Sequence, residues 1–215
     1  MTETATISNQ LPNSTDQLAD QRLLGSVAVL FCKRDSVYKS LGVDCWDIDR
    51  DALKWAGGVP CVAHPPCRAW GQLAHMDKPR PGEKELAFFA IDMIRKYGGV
   101  LEHPRASKLW PAYLPMPGKF DEYGGYSICV DQSWWGHKAK KNTLLYIVGC
   151  PQRELPSIPI RFDMIEYTVS SKIKKKSGRR IKKEIPKSER EATPSDFAKW
   201  LIDVARKCGT SRTEI

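Results

Sequence analysis

No apolar run in this chain approaches the roughly 20 residues that a membrane-crossing helix needs, so no membrane partner is expected. The first 20 residues lack both a basic start and an apolar stretch, so no secretory signal is expected there. A cysteine framework is missing too. The seven cysteines are odd in number, have no repeating spacing, and several sit inside apolar segments. A disulfide scaffold is therefore not expected, and a reducing cytoplasm is the expected compartment. There is no internal repeat.

What is present suits one sizeable domain with appendages: 215 residues, 41% of them apolar, too apolar for a wholly disordered chain. The net charge is +9, and the stretch 172–187 alone carries +8. The rest of the surface is thus nearly neutral. Lys174, Lys175, Lys176, Arg179, Arg180, Lys182 and Lys183 form a run that repels itself and suits a phosphate backbone, giving salt-sensitive, sequence-independent affinity. The competing reading is a solvated loop that binds nothing in particular.

Residues 1–22, rich in Thr, Ser, Asn and Gln, read as a disordered leader, and 23–150 as the catalytic domain. Residues 151–192 read as an extension carrying the basic run, and 193–208 as a C-terminal helix. Short strands are expected over 27–31, 43–46, 59–63, from 100 onward, 126–130 and 144–148, with Pro60 weakening the third. Helical spacing of Leu86, Phe89, Ala90, Met93 and Ile94 predicts a helix over 83–97, stopped by Gly98-Gly99. A short helix over 35–41 would be capped by Asp35 or Ser36. In the final helix Thr193 reads as the cap, with Phe197, Trp200, Leu201, Val204 and Cys208 as the apolar stripe. Such alternation argues for a parallel α/β sheet, whose ligands sit at the carboxyl ends of strands. The unusual polar residues fall at those ends.

Three places there can carry chemistry. In His64-Pro65-Pro66-Cys67-Arg68 two prolines stiffen the backbone before a cysteine, and Arg68 could favour its thiolate. A buried, inert thiol is the alternative. In Leu101-Glu102-His103 a carboxylate leaves a buried strand, where burial would raise its pKa and make it a proton donor. A salt bridge to Arg105 is the alternative. Asp47, after the second strand, is placed to accept ribose hydroxyls, or else to cap a helix over 49–55.

In this order and spacing the pieces over 27–149 resemble the cytosine-5 DNA methyltransferases. Pro66-Cys67 looks like that family's catalytic Pro-Cys motif. Leu101-Glu102-His103 looks like its Glu-Asn-Val motif, with His103 in place of the asparagine. Trp46-Asp47-Ile48-Asp49-Arg50-Asp51-Ala52 is similar to the acidic motif that holds the cofactor ribose. Gln132 and Gly136, followed by Lys140-Lys141 before a strand, are similar to a later motif with a Gln, a Gly and two arginines. The resemblance implies a Rossmann-like three-layer sandwich with a mostly parallel sheet, as in S-adenosylmethionine-dependent methyltransferases. It implies a DNA or nucleotide substrate and a cytosine extruded into the cleft. Cys67 would attack C6, and Glu102 would bind the amino edge and protonate N3. Lys140 or Lys141 would neutralise charge, and Arg68 would position the loop. S-adenosylmethionine would lie against Phe31, Asp35, Ser36, Asp47, Ile48 and Pro65. A compact member of this kind suits a phage or prophage in a bacterial host.

The chain departs from that pattern in two places. The family's glycine-rich turn after the first strand is here Phe31-Cys32-Lys33-Arg34-Asp35-Ser36, without glycine, and Lys33 and Arg34 suit an anionic ligand. Beyond Gly149, 66 residues leave no room for an ordinary target-recognition domain. Recognition would then fall to the basic run, to Trp134 and Trp135 as stacking platforms, or to a partner. Three other readings stand beside the first: the same fold acting with another donor or on a free nucleotide; a non-catalytic nucleic-acid-binding module; and a zinc site of Cys61, His64 and Cys67 with His75 or His103.

Overall fold

The computed structural model describes residues 26–72, 74–161, 165, 167–169 and 183–210. The expected leader and Lys174, Lys175, Lys176, Arg179, Arg180 and Lys182 lie outside the described residues; Lys183 lies within them.

Three short apolar segments form strands β1 (Ala28–Leu30), β2 (Asp44–Trp46) and β3 (Cys61–Ala63). β4 (Gly99–Pro104), β5 (Tyr126–Asp131) and β6 (Asn142–Val148) complete a six-stranded sheet in the order β2-β1-β3-β4-β6-β5. β2, β1, β3 and β4 pair in parallel, while β6 runs antiparallel to both β4 and β5. The sheet is therefore mostly parallel, with one reversed strand. The reversal has a simple cause. Only residues 132–141 join β5 to β6, and a parallel crossover takes a dozen or more. Pro60 stays outside β3, and its carbonyl accepts the Ala28 amide at 3.2 Å.

Both sheet faces are covered, which is why the inner strands β1 and β3 are buried at every residue rather than alternating. On one face Val29, Val62, Val100, Leu145 and Ile147 pack with Phe197, Leu201, Val204 and Cys208. On the other, Leu30, Ala63, Leu101, Leu144 and Tyr146 pack with Ala87, Ala90, Ile91, Ile94 and Trp110. The first helix, α1 (Ala74–Asp77), is one turn. α2 (Leu86–Tyr97) buries its Ala-Ala-Ile-Ile stripe, each isoleucine contributing about 1.5–3 kcal/mol. Gly98, at φ 81°, ends it with its amide on the Ile94 carbonyl at 2.9 Å. Next come α3 (Leu109–Tyr113), α4 (Lys187–Glu191) and α5 (Ser195–Thr210). α5 begins two residues after the expected cap Thr193; the Pro194 carbonyl accepts the Ala198 amide at 2.9 Å.

Gly99 sets how closely β3 and β4 approach. Its φ is 127°, and a Cβ there would run into the Cys61 carbonyl. This contact matters because the next residues on both strands lead into the polar loops. Among the described residues no helix is long and apolar enough to cross a membrane.

Candidate active site

β3 and β4 are parallel neighbours, with Ala63 level with Leu101. His64, just past β3, and Glu102, within β4, therefore sit side by side. The Glu102 carboxylate meets three donors. Its Oε2 takes His64 Nδ1 at 3.1 Å, and its Oε1 takes Gln132 Nε2 at 3.1 Å and the Thr143 hydroxyl. The other His64 nitrogen, Nε2, lies 2.9 Å from the Tyr38 hydroxyl. Four elements contribute: the single-turn helix Val37–Leu41, the end of β3, the turn Gln132–Trp135 and β6.

This network reverses one expectation. Burial does work to raise the Glu102 carboxyl, but the His64 hydrogen bond and charge, Lys141 and the Thr143 hydroxyl outweigh it and bring it down to about 2. Resting Glu102 is a carboxylate, not a proton donor. The salt bridge to Arg105 does not form; His64 takes that place.

Cys67 starts the turn Arg68–Trp70 and is exposed. Crowding pushes its thiol up, the Glu102 charge adds to this, and Lys141 opposes it. Because the residue stays open to solvent, screening limits the shift. Arg68, expected to activate Cys67, is held chiefly by Glu83, with a lesser attraction to Cys67. Its guanidinium is engaged by Glu83, at 3.1 Å from Nε and 2.6 Å from Nη2, and Glu83 also accepts the Arg80 amide at 2.9 Å. Arg68 thus braces the chain after Cys67. Between the two candidate lysines, Lys140 is exposed, whereas Lys141 is half-buried. Burial lowers the Lys141 ammonium, while Glu102 and Cys67 pull it back up. Lys141 is the cation of the site. His103 is fully buried in β4, and neither ring nitrogen has a hydrogen-bond partner of proper geometry. Burial draws its pKa down to about 4, with the Glu102 charge and the nearby Pro66 backbone acting the other way.

The β1 and β2 side is arranged differently. Asp47 is only 4% exposed and accepts Lys39 Nζ at 2.6 Å and the Asp49 and Arg50 amides at 3.0 and 3.2 Å. The Lys39 hydrogen bond, then the backbone amides, hold its carboxyl down to about 2. Arg34 grips Asp49 through Nε at 2.7 Å and Nη2 at 2.6 Å. Lys33 pairs with Glu191 at 2.9 Å. Phe31 takes a left-handed backbone, φ 60°, and its ring packs edge-on against Phe89. Ser36, not Asp35, caps the turn, accepting the Tyr38 amide at 3.5 Å. Asp35 is exposed, Pro65 is buried, and Ile48 is 63% exposed beside Asp47.

S-adenosylmethionine can be tested against this geometry. Exposed Ile48 could cover a planar ring. Against that, the Asp47 carboxylate is buried with three of its acceptor positions filled, and the turn after β1 has no glycine and carries Lys33 and Arg34. The residues as arranged do not fit that cofactor.

A strap crosses the mouth of the cleft. α4 and the residues after it are pinned by Lys33 to Glu191, by Lys138 to Glu189 at 2.7 Å, and by Lys141 Nζ to the Ala192 carbonyl at 3.3 Å. Trp135 is buried against Phe197 and Trp200, so its role is packing rather than base stacking; Trp134 packs against the same cluster. Cys61 is fully buried in β3, and both His64 nitrogens are engaged, so the zinc arrangement does not form. No group of three or more metal-ligating side chains exists among the described residues.

No known protein family matches the chain, and no curated protein matches it.

The sequence singles out Cys67, Glu102 and Gln132, and the structure adds Tyr38, Thr143 and the hydrogen bond of His64 to Glu102. A histidine two residues before Pro66 drew attention only as a metal ligand. Tyr38 and Thr143 carry no signal in the sequence, because each reaches Glu102 or its partner through the fold.

Proposed function

We propose that the chain is a nucleobase-modifying enzyme that engages a cytosine-like ring through Cys67 and Glu102, as the cytosine-5 DNA methyltransferases do. One observation carries this reading: an exposed cysteine on the loop after β3 and a carboxylate held by three donors on the neighbouring parallel strand β4 share one end of the sheet. A Rossmann-like topology goes with it, and the single reversed strand between β4 and β5 supports that assignment.

In this reading the Cys67 thiolate adds to C6 of the ring, forming an S–C6 bond. The C5–C6 π electrons move into the ring, and N3 takes a proton from the Glu102 side. Lys141 lies close enough to both groups to stabilise charge that builds on the ring. C5 is then nucleophilic. No methyl-transfer step is derived, because the β1 and β2 loops do not fit S-adenosylmethionine. DNA or a nucleotide is the proposed substrate class, with Lys183 and the basic run as the contact to phosphate.

A second reading is favoured by Lys33 and Arg34. Their carboxylate partners are exposed and solvent screens such pairs, so an anionic ligand could displace them. The substrate would then be a free nucleotide, or the donor an anionic one.

Exchange of the C5 hydrogen in heavy water tests the Cys–Glu chemistry without any donor. Reversible addition at C6 lets C5 pick up a deuteron, lose its original proton and release the sulfur. Single-stranded DNA, duplex DNA and free cytidine nucleotides would be compared by mass spectrometry. Deuterium gain that Cys67→Ser reduces by about a thousandfold or more supports the reading. No gain with any of the three, in folded protein whose Cys67 still reacts with iodoacetamide, rules it out.

A further inference from the structure

We propose that His64, held by Tyr38, is the proton source for Glu102, so that the site carries its acid as a histidine–carboxylate pair rather than as a protonated glutamate. The inference rests on the base-modifying reading for its substrate, but its geometry stands independently.

The hydrogen-bond chain fixes where the protons are. Glu102 as a carboxylate can only accept, so His64 Nδ1 must carry a hydrogen toward Oε2. The Tyr38 ring is fully buried, and burial together with the Glu102 charge pushes its phenol well above the ordinary value. Tyr38 therefore keeps its proton. With His64 neutral, Tyr38 donates to Nε2. With His64 doubly protonated, Nε2–H donates to the Tyr38 oxygen at the same 2.9 Å. In both states Tyr38 satisfies Nε2 and leaves Nδ1 to serve Glu102.

The step balances without any outside reagent. The Nδ1 proton of the imidazolium moves to Oε2 and its bonding pair stays on nitrogen. An ion pair becomes a neutral pair, with His64 left protonated at Nε2 and bonded to Tyr38. Counting lone pairs shows where the acid then acts. Thr143 and Gln132 fill Oε1, and His64 takes one position on Oε2. Among the described residues no donor fills the second position on Oε2. Rotation about the C–O bond turns the new hydroxyl toward a ring nitrogen there.

Other charges bear on the pair. Lys141, from the start of β6, favours the carboxylate, and buried His103 on β4 adds no charge near neutral pH. Cys67 faces Glu102 from the β3 loop, so a thiolate there favours moving the proton onto Glu102. Nucleophile formation and acid formation are thus coupled. Behind Tyr38 lie Cys32 and Cys45, whose thiols burial pushes up and keeps protonated.

Two measurements on the full chain test this. The first needs no substrate: nitrogen-15 NMR of histidine-labelled protein at pH 7, with His64 assigned by its loss in His64→Gln. The expected result is a protonated Nδ1 with a low-field hydrogen-bonded proton that vanishes in Glu102→Ala. Tyr38→Phe should alter the Nε2 signal and leave Nδ1 protonated. An unprotonated Nδ1, or a low-field proton that persists in Glu102→Ala, overturns the proposal. The second is the rate of C5 exchange as a function of substrate concentration. Gln at position 64 can still donate to Glu102 but cannot hand over a proton. His64→Gln should therefore cut the maximal rate by about 30- to 100-fold and leave half-saturation within about twofold. Full activity in His64→Gln overturns the relay. Absence of exchange in the unaltered protein defeats the base-modifying reading instead, and the NMR result still decides the relay.

Discussion

The two sides of the cleft use their charges in opposite ways. On the β3 and β4 side, Glu102 sits in a network that four different elements complete, and its partners are half-buried or buried. On the β1 and β2 side, Lys33, Arg34, Asp49 and Glu191 neutralise one another at the surface, and Asp47 is consumed by Lys39 and two amides. One side gathers its polar groups around a single buried carboxylate; the other uses its groups to close loops.

The sharpest way to break this contrast is to remove the frame of the reactive side. Gly99→Ala puts a Cβ into the Cys61 carbonyl at a backbone conformation that favours glycine. It should cost about 4 kcal/mol or more in urea unfolding, and a loss under 1 kcal/mol would show that β3 and β4 can separate freely.

Acid should expose the buried titrating groups in two windows. His103 has a folded pKa depressed to about 4 from 6.5, so the unfolded chain binds its proton first. Stability is intact above about pH 6.5 and falls by about 3 kcal/mol as pH drops to 4. Glu102, depressed from 4.5 to about 2, adds stability that is present above about pH 4.5 and is lost toward pH 2. Denaturant titrations of the unaltered chain and His103→Asn between pH 7 and 4 should diverge in slope, and parallel curves would remove His103 as the cause.

A smaller effect sharpens the contrast at Cys67 itself. Its alkylation by iodoacetamide should speed up as pH rises toward 9. Lys141→Ala should slow it, and Glu102→Gln should quicken it, each by about threefold. Equal rates in all three proteins would mean that neither charge reaches the sulfur. The smallest effect belongs to the other side: Arg34→Ala breaks an exposed pair and should move the melting temperature by no more than about 2 °C at low salt.

Much of the fold was readable because its elements are marked locally. β1, β2 and β3 are short apolar runs, α2 repeats its apolar residues at helical spacing, and Gly98 stops it. The reversed direction of β6 was not read from strand patterns, although the short link from β5 requires it. In the site, Cys67 and Glu102 stood out because a stiffened cysteine and a carboxylate on a buried strand are unusual. Their partners were hidden, since Thr143, Gln132 and Tyr38 become neighbours only when distant segments close on one sheet end. The charge state of Glu102 was misjudged for the same reason: desolvation can be guessed from a buried strand, but three donors arriving from elsewhere cannot. Lys141 was one of two adjacent candidates, and only the direction in which the chain enters β6 separates it from exposed Lys140.

The strap over the cleft has a consequence for how substrate would arrive. The basic run ends at Lys187, where α4 begins, and α4 is pinned beside Cys67 and Lys141 by Glu191 and Ala192. Lys33 and Lys141 are thereby each shared with this segment, so a ligand that takes either cation must also loosen the segment from the β1 loop or from the residue before β6.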